Sequence, residues 1–490
     1  MKKISTIKKL AGLGVIFFAA LFNKAYASPV SVSDAKKVAA NFYSQNADKP
    51  VSNLSLTYTE TAASGGAVYY VFNINANDGF VIVSADDDAK PILGYSREGH
   101  FVSTNLPSQF SEWMSGYQQQ IEFIKANNLQ ASERIKNQWN NYRSASSSNS
   151  SNSGARTSGV LSNGVVGPLL TTTWEQFSPY NLFCPVSKGG RAITGCVATA
   201  MAQIMKYWSY PAKGTGSYQY VSVTDSTVPK ADFDTTHYHW SLMPNSLGSG
   251  STGKQDSAVA LLMYDCGVAL EMQYSPTESG SELLLSDVTK GNSCAQYVYP
   301  NNFGYNPNTL QGIIKSNYTD SAWIKLLKNE LVNNRPVQYE GTGSFGHSWV
   351  CDGYDSNDMF DMNWGWGGSD NGFYAVDAMN PGSNNLNGTN RALIGVEPMN
   401  GSASVAILND LSAVKVFPNP SNGVFTVNYA NITGECLLEI NNMLGQKVYS
   451  SKLISGKSQV DLGNHSAGVY LYRFFNENGA LVSTGKLCIQ

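Results

Sequence analysis

Histidine is scarce in this chain, with five among 490 residues, and charged side chains make up only 14% of it. Net charge is −3, from 33 basic and 36 acidic residues, so nothing in the charge balance attracts nucleic acid or an anionic membrane. Closely spaced cysteines are missing too. The seven stand at 184, 196, 266, 294, 351, 436 and 488, with no CxxC pair. That spacing argues against a zinc site, and the odd count leaves at least one thiol over. Long apolar runs are absent beyond one near the start, "LAGLGVIFFAALF" at 10–22, which is short for a bilayer span.

What is present begins with that run. Lys2, Lys3, Lys8 and Lys9 precede it and "AYA" (25–27) follows, the pattern of a secretory signal peptide over 1–27 cleaved after Ala27. An exported chain is free to form disulfides, so an unpaired thiol needs a reason.

Composition divides the remainder. Residues 28–143 read as a small α+β unit. It has a helix in "SVSDAKKVAANFYSQ" with Ser33 as cap candidate, and strands in "AVYYVFNI" and "GFVIVSADD" about an Asn77-Asp78-Gly79 turn. Phe110, Trp113, Tyr117, Ile121 and Ile124 share one helical face and read as core. A Ser/Asn-rich linker at 144–157 follows, with too little apolar surface to fold, and Arg156 near its end is open to a protease. Residues 158–400 place helical pattern before short strands, the order of an α+β fold. Residues 401–490 contain short alternating runs between turn signals, a small all-β sandwich.

One stretch carries chemistry, "TGCVATAMAQIMKYW" at 194–208. Val197, Ala200, Met201, Ile204, Met205 and Trp208 recur with helical period, so the helix has a buried face. Cys196 precedes it directly, where the helix dipole and free amides favour thiolate over thiol. A nucleophilic thiolate needs a base. His347, in "GHSWVCDGYD", is the histidine set between a glycine-rich turn and a strand-like run of the same block. Downstream, Asn363 in "NWGWGG" offers an amide to orient an imidazole, and Trp364 a shield from water.

These motifs, with "PYNLFCPV" (179–186), "NFGYN" (302–306) and "NWGWGGSDNGFYAVDAMNP" (363–381), resemble the streptopain family of papain-like cysteine peptidases. His347 lies 151 residues after Cys196, close to the papain-type separation of about 130–150. "DGFVIVSADDDAKPILGYS" (78–96) resembles the family's inhibitory pro-domain. The resemblance implies a papain-like catalytic domain, with a helical subdomain and an antiparallel β subdomain. It also implies endopeptidase activity on polypeptides, no metal and no cofactor. Cys196 is then nucleophile, His347 general base and acid, Asn363 orienting and Trp364 shielding. Gln176, Gln311 and Gln338 compete to supply the second oxyanion donor. "VFPNPSNGVFTV", "MLGQKV" and "SAGVYLYRF" resemble the sorting domain of the type IX secretion system. That implies the secretion machinery as partner, passage through the periplasm, and a destination on the outer-membrane surface or in the medium. Two other readings are a cysteine amidase or transferase acting on cell-wall peptides, and an inactive surface-binding homologue.

Overall fold

The computed structural model describes residues 29–144 except 48, 105 and 107. It describes 160–399 except 162–164, 188, 224–225, 290, 292, 342–346 and 377–389, and 414–490 except 430–435, 443–446, 454–455 and 476–480. The expected signal peptide, most of the linker and Arg156 lie outside these residues.

Helix α1 (Val32–Asn46) opens the first unit and buries Ala35, Val38, Ala39, Phe42 and Tyr43. Its cap is Ser31, not Ser33. Ser31 is extended and its hydroxyl accepts the Asp34 N–H at 3.1 Å, whereas Ser33 already lies within the helix. An antiparallel meander follows, β1 (Leu54–Ala62), β2 (Gly66–Ile74), β3 (Phe80–Ser84) and β4 (Ile92–Ser96). The β2–β3 turn spans 75–79 and includes Asn77-Asp78-Gly79, with Gly79 at φ +116. Asn75 and Ala76 take positive φ there, and the Asn75 Oδ1 accepts from the Ser52 and Asn53 N–H groups. Helices α2 (Ser108–Asn127) and α3 (Glu133–Ser144) complete the unit.

The second unit contributes α4 (Cys196–Trp208), α5 (Gly253–Ala269), α6 (Ala295–Phe303) and α7 (Asp320–Val332). Its longer strands are β5 (Gln311–Ile314), β6 (Val337–Gly341), β7 (His347–Tyr354), β8 (Met359–Asn363), β9 (Gly372–Ala375) and β10 (Arg391–Ile394). Strands β6 to β9 are buried throughout. They therefore show no alternation of buried and exposed positions, and Gln338, Glu340, Asp352 and Asp361 are buried among the apolar side chains.

The two units share one sheet, in the order β1-β2-β3-β4-β9-β8-β7-β6-β10-β5. The seam is β4 against β9, with Tyr95 opposite Phe373 and Gly94 opposite Tyr374. Glycine is required at 94, because a Cβ there would lie 2.6 Å from the Tyr374 ring. The rings of Tyr95 and Phe373 stack at 5.2 Å, and the Tyr95 hydroxyl donates to Asp355 at 2.9 Å. Both units contribute to a single apolar core.

Residues 415–489 form a separate core between two antiparallel sheets. One holds β11 (Lys415–Phe417), β12 (Val424–Asn428) and β15 (Lys457–Asp461). The other holds β13 (Cys436–Asn442), β14 (Lys447–Leu453), β16 (Gly468–Phe475) and β17 (Leu481–Ile489). Phe425, Val427 and Val460 from the first meet Leu438, Ile440 and Phe474 from the second.

Candidate active site

Helix α4 starts at Cys196 without a side-chain cap. Residue 195 holds the N-cap position at φ +87. Only glycine fits there, since a Cβ would lie 2.5 Å from the Met272 sulfur and 3.0 Å from the Ser279 carbonyl oxygen. The Thr199 N–H reaches back to the Gly195 carbonyl at 3.0 Å, which leaves the first-turn amides without intrahelical acceptors. All seven cysteines are unpaired. Cys196 is the first residue of α4, and Cys294 holds the N-cap position of α6.

Three backbone N–H groups surround the Cys196 sulfur, those of Ser348, Val197 and Cys196 itself. They favour thiolate. Burial opposes them and dominates, with the nearby Glu340 carboxylate adding to it, and the thiol is pushed up to about 11. Ser348 is the residue after His347, so the structure brings Cys196 and the histidine strand together. His347 begins β7 opposite Gly341 and is buried, which pushes its imidazole down to about 4. At neutral pH both groups are therefore uncharged, a thiol and a neutral imidazole.

Asn363 ends β8 opposite Val350. Its Nδ2 donates to the Thr172 carbonyl at 2.7 Å, and its Oδ1 accepts from Gln203 Nε2 at 3.3 Å and from the Gly365 N–H at 3.2 Å. In this form the carboxamide ties α4 to two loops, and none of these partners is His347. Trp364 is fully buried, and its indole N–H donates to the Asp370 carbonyl at 2.9 Å. Its ring packs against Trp349 at 5.0 Å and Tyr374 at 5.3 Å. Phe110 and Trp113 of α2 reach it from the first unit, at 5.6 and 6.0 Å. Trp113 also meets Trp349, two residues after His347, at 5.6 Å. The α2 stripe is buried as expected, but its first half packs across the domain seam rather than within one domain. Sequence periodicity gives the same signal for both.

The three glutamines separate. Gln338 is buried and committed: its Nε2 donates to the Val197 carbonyl at 3.1 Å and to Ser348 Oγ at 3.2 Å, and its Oε1 accepts from Tyr299. Gln311 is exposed at the start of β5, the last strand in the sheet order. Gln176 is buried, and its carbonyl accepts the N–H of Thr194, two residues before the nucleophile, at 3.1 Å.

Residues 174–374 match the Peptidase C10 family model, and residues 27–121 match that of the Spi protease inhibitor. Residues 415–490 match the secretion system C-terminal sorting domain. Streptopain of Streptococcus pyogenes is 34% identical over 360 residues, covering 68% of this chain and 81% of its own. The chain belongs to the Peptidase C10 family. The thiol protease/hemagglutinin PrtT of Porphyromonas gingivalis is 30% identical over 401 residues, 77% of this chain, and the match spans 43% of PrtT. Among solved structures, a Prevotella intermedia prointerpain A fragment is 31% identical with a TM-score of 0.57, covering 70% of this chain and 98% of the fragment. This C10 chain is thus a cysteine-type peptidase with an inhibitor-like pro-domain, sent to the cell surface or medium by a C-terminal type IX sorting domain.

Proposed function

We propose that the mature C10 enzyme hydrolyses polypeptides through Cys196 and His347, and that residues 28–143 hold the precursor latent until a cut in the 144–157 linker. The observation that carries this is the uncapped α4 terminus, with three N–H groups on the Cys196 sulfur. Once water and substrate reach the cleft, His347 takes the thiol proton. The thiolate attacks the scissile carbonyl carbon, and a thioester forms as the C–N bond breaks. His347 gives the proton to the leaving amine, and water then hydrolyses the thioester. The Cys196 amide is one oxyanion donor. Gln176 is the second in this reading, because Gln338 is already spent on Val197 and Ser348. Export runs through the periplasm and across the outer membrane, with the 401–490 tail removed afterwards.

Cys196→Ala should abolish hydrolysis of casein and leave the purified precursor uncut. Normal maturation of that variant would refute self-processing. Gln176→Ala should cost about 10²–10³ in kcat, the range for one oxyanion donor. A comparable loss on Gln311→Ala, with Gln176→Ala unaffected, would reassign the role.

A further inference from the structure

Beside the last turn of α4, about 15 Å along the helix from Cys196, lies a cavity of about 230 Å³ that the mechanism does not use. Segment 169–172, Lys206 and Tyr207 of α4, and Asn245 line it. That is room for a small polyatomic ion.

Lys206 is the one charged side chain of this lining. Its ammonium donates to the Trp240 carbonyl at 2.8 Å, its only hydrogen bond among the described residues. A lysine in a last turn suits the helix dipole, yet Lys206 bonds no carbonyl of α4 and keeps ammonium hydrogens to spare. Burial holds it below its ordinary value, and no carboxylate stands close enough to oppose that shift. Asp352, which acts on Tyr207, accepts the Leu170 N–H at 2.8 Å and forms no ion pair with Lys206. Asn245 supplies a second donor. Its Oδ1 accepts the Thr171 hydroxyl at 3.0 Å, and its Nδ2 has no partner among the described residues. A half-buried cation and an amide donor with no counter-charge between them suit an anion.

The same wall carries Asn363. The Thr172 carbonyl accepts Asn363 Nδ2 at 2.7 Å, and the Thr172 hydroxyl donates to Gln203 Oε1 at 2.9 Å. The Thr173 N–H donates to the Asn245 carbonyl at 2.8 Å, and the Trp174 N–H to Gln203 Oε1 at 3.2 Å. Segment 171–174 therefore hangs between Asn245 and Gln203. Gln203 and Lys206 are three apart on α4, so they are neighbours on its surface.

We infer that this cavity binds a small oxyanion of the phosphate or sulfate class between Lys206 Nζ and Asn245 Nδ2, and that the bound ion braces the 171–174 segment on which Asn363 is mounted. No described residue of the pro-domain lines the cavity, so the site serves precursor and mature enzyme alike.

The test uses full-length precursor carrying Cys196→Ala, titrated with inorganic phosphate in a calorimeter at an ionic strength held constant with sodium chloride. One saturable site is expected, with sulfate competing for it. Lys206→Met should weaken binding by about 10–150-fold, the worth of a hydrogen bond to a charged group. Asn245→Asp changes an exposed residue and puts a carboxylate at the rim, so it should abolish binding, and it decides alone if Lys206→Met does not fold. Saturating phosphate should slow hydrogen exchange of the Thr173, Trp174 and Gly365 amides severalfold, and should leave them unchanged in Asn245→Asp. Heats no larger than those of added chloride, or binding that survives Asn245→Asp, overturn the site. Saturable binding with unchanged exchange at those amides overturns the bracing of Asn363.

Discussion

Asp370 gives latency a dependence on pH whose sign can be worked out. It sits at φ +56 in the turn before β9, and it is buried. Its carboxylate accepts the N–H of Val102 from the pro-domain, while Oδ1 is buried without a partner. Burial is the main cause that pushes it up, to about 7. Undocking the pro-domain admits water and returns the group towards its ordinary value of 3.8. Docking therefore takes up a proton. The cost of docking is absent below the free value, grows as pH rises to about 7, and is constant above that, at roughly 4 kcal/mol. Asp370 by itself should make opening of the pro-domain rise about tenfold per pH unit from pH 5 to 7 and level off beyond. Glu112 on α2, also pushed to about 7 by burial, titrates in the same window. Asp370→Asn should therefore weaken the slope, and Asp370→Asn with Glu112→Gln should reverse it below about pH 6.5, where His347 takes up a proton on opening. The assay is hydrogen exchange of the β4 and β9 amides in full-length Cys196→Ala precursor, corrected for intrinsic exchange. Opening that does not vary with pH in the parent, or an undiminished slope in the double variant, would refute the reasoning.

Three further outcomes are expected. Trp113→Ala empties a contact with Trp349, Trp364 and Tyr339, at a cost near the 3–5 kcal/mol of a buried aromatic truncation. Uncut precursor carrying it should hydrolyse small peptides that the parent precursor does not. Gly195→Ala forces the new methyl onto Met272 and strains a left-handed backbone, so the precursor should lose about 1–3 kcal/mol in a denaturant melt. Asn363→Ala frees Thr172, Gln203 and Gly365 together and should cost the precursor about 2 kcal/mol. If stability is instead unchanged and only the acid limb of the mature enzyme's pH–rate profile moves, Asn363 acts on His347.

Cys196 is legible in the sequence as the candidate nucleophile because two signals coincide: a helical stripe with a firm start, and a thiol left over in an exported chain. His347 is legible because few histidines compete with it. The proposed oxyanion glutamine is not, since the preference for 176 over 338 rests on the hydrogen bonds Gln338 already makes to Val197 and Ser348, which chain order does not disclose. Nor is the shared sheet. Strand β4 and strand β9 lie far apart in the chain, and each alone reads as an ordinary apolar strand. The Ser33 cap misses because Ser31 and Ser33 both suit the role, and local backbone geometry decides between them.

The helix terminus explains why Cys196 can become a nucleophile, but not when. A helix end contributes about 0.3–1 kcal/mol, up to about 2 when partly buried. Full burial shifts an ionisable group by as much as 3–5 pKa units, several-fold more. In the precursor burial therefore wins, and Cys196 stays a thiol despite the three amides directed at it. Burial has the opposite effect on His347, lowering it, so the two groups are driven apart where catalysis needs them to exchange a proton. Helix α2 lies across the His347 strand through Trp113 and Trp349. The pro-domain thus blocks the cleft and also removes the solvent that an imidazolium–thiolate pair requires. In the reading proposed above, latency is electrostatic as well as steric, and a cut in the linker should not end it until α2 departs.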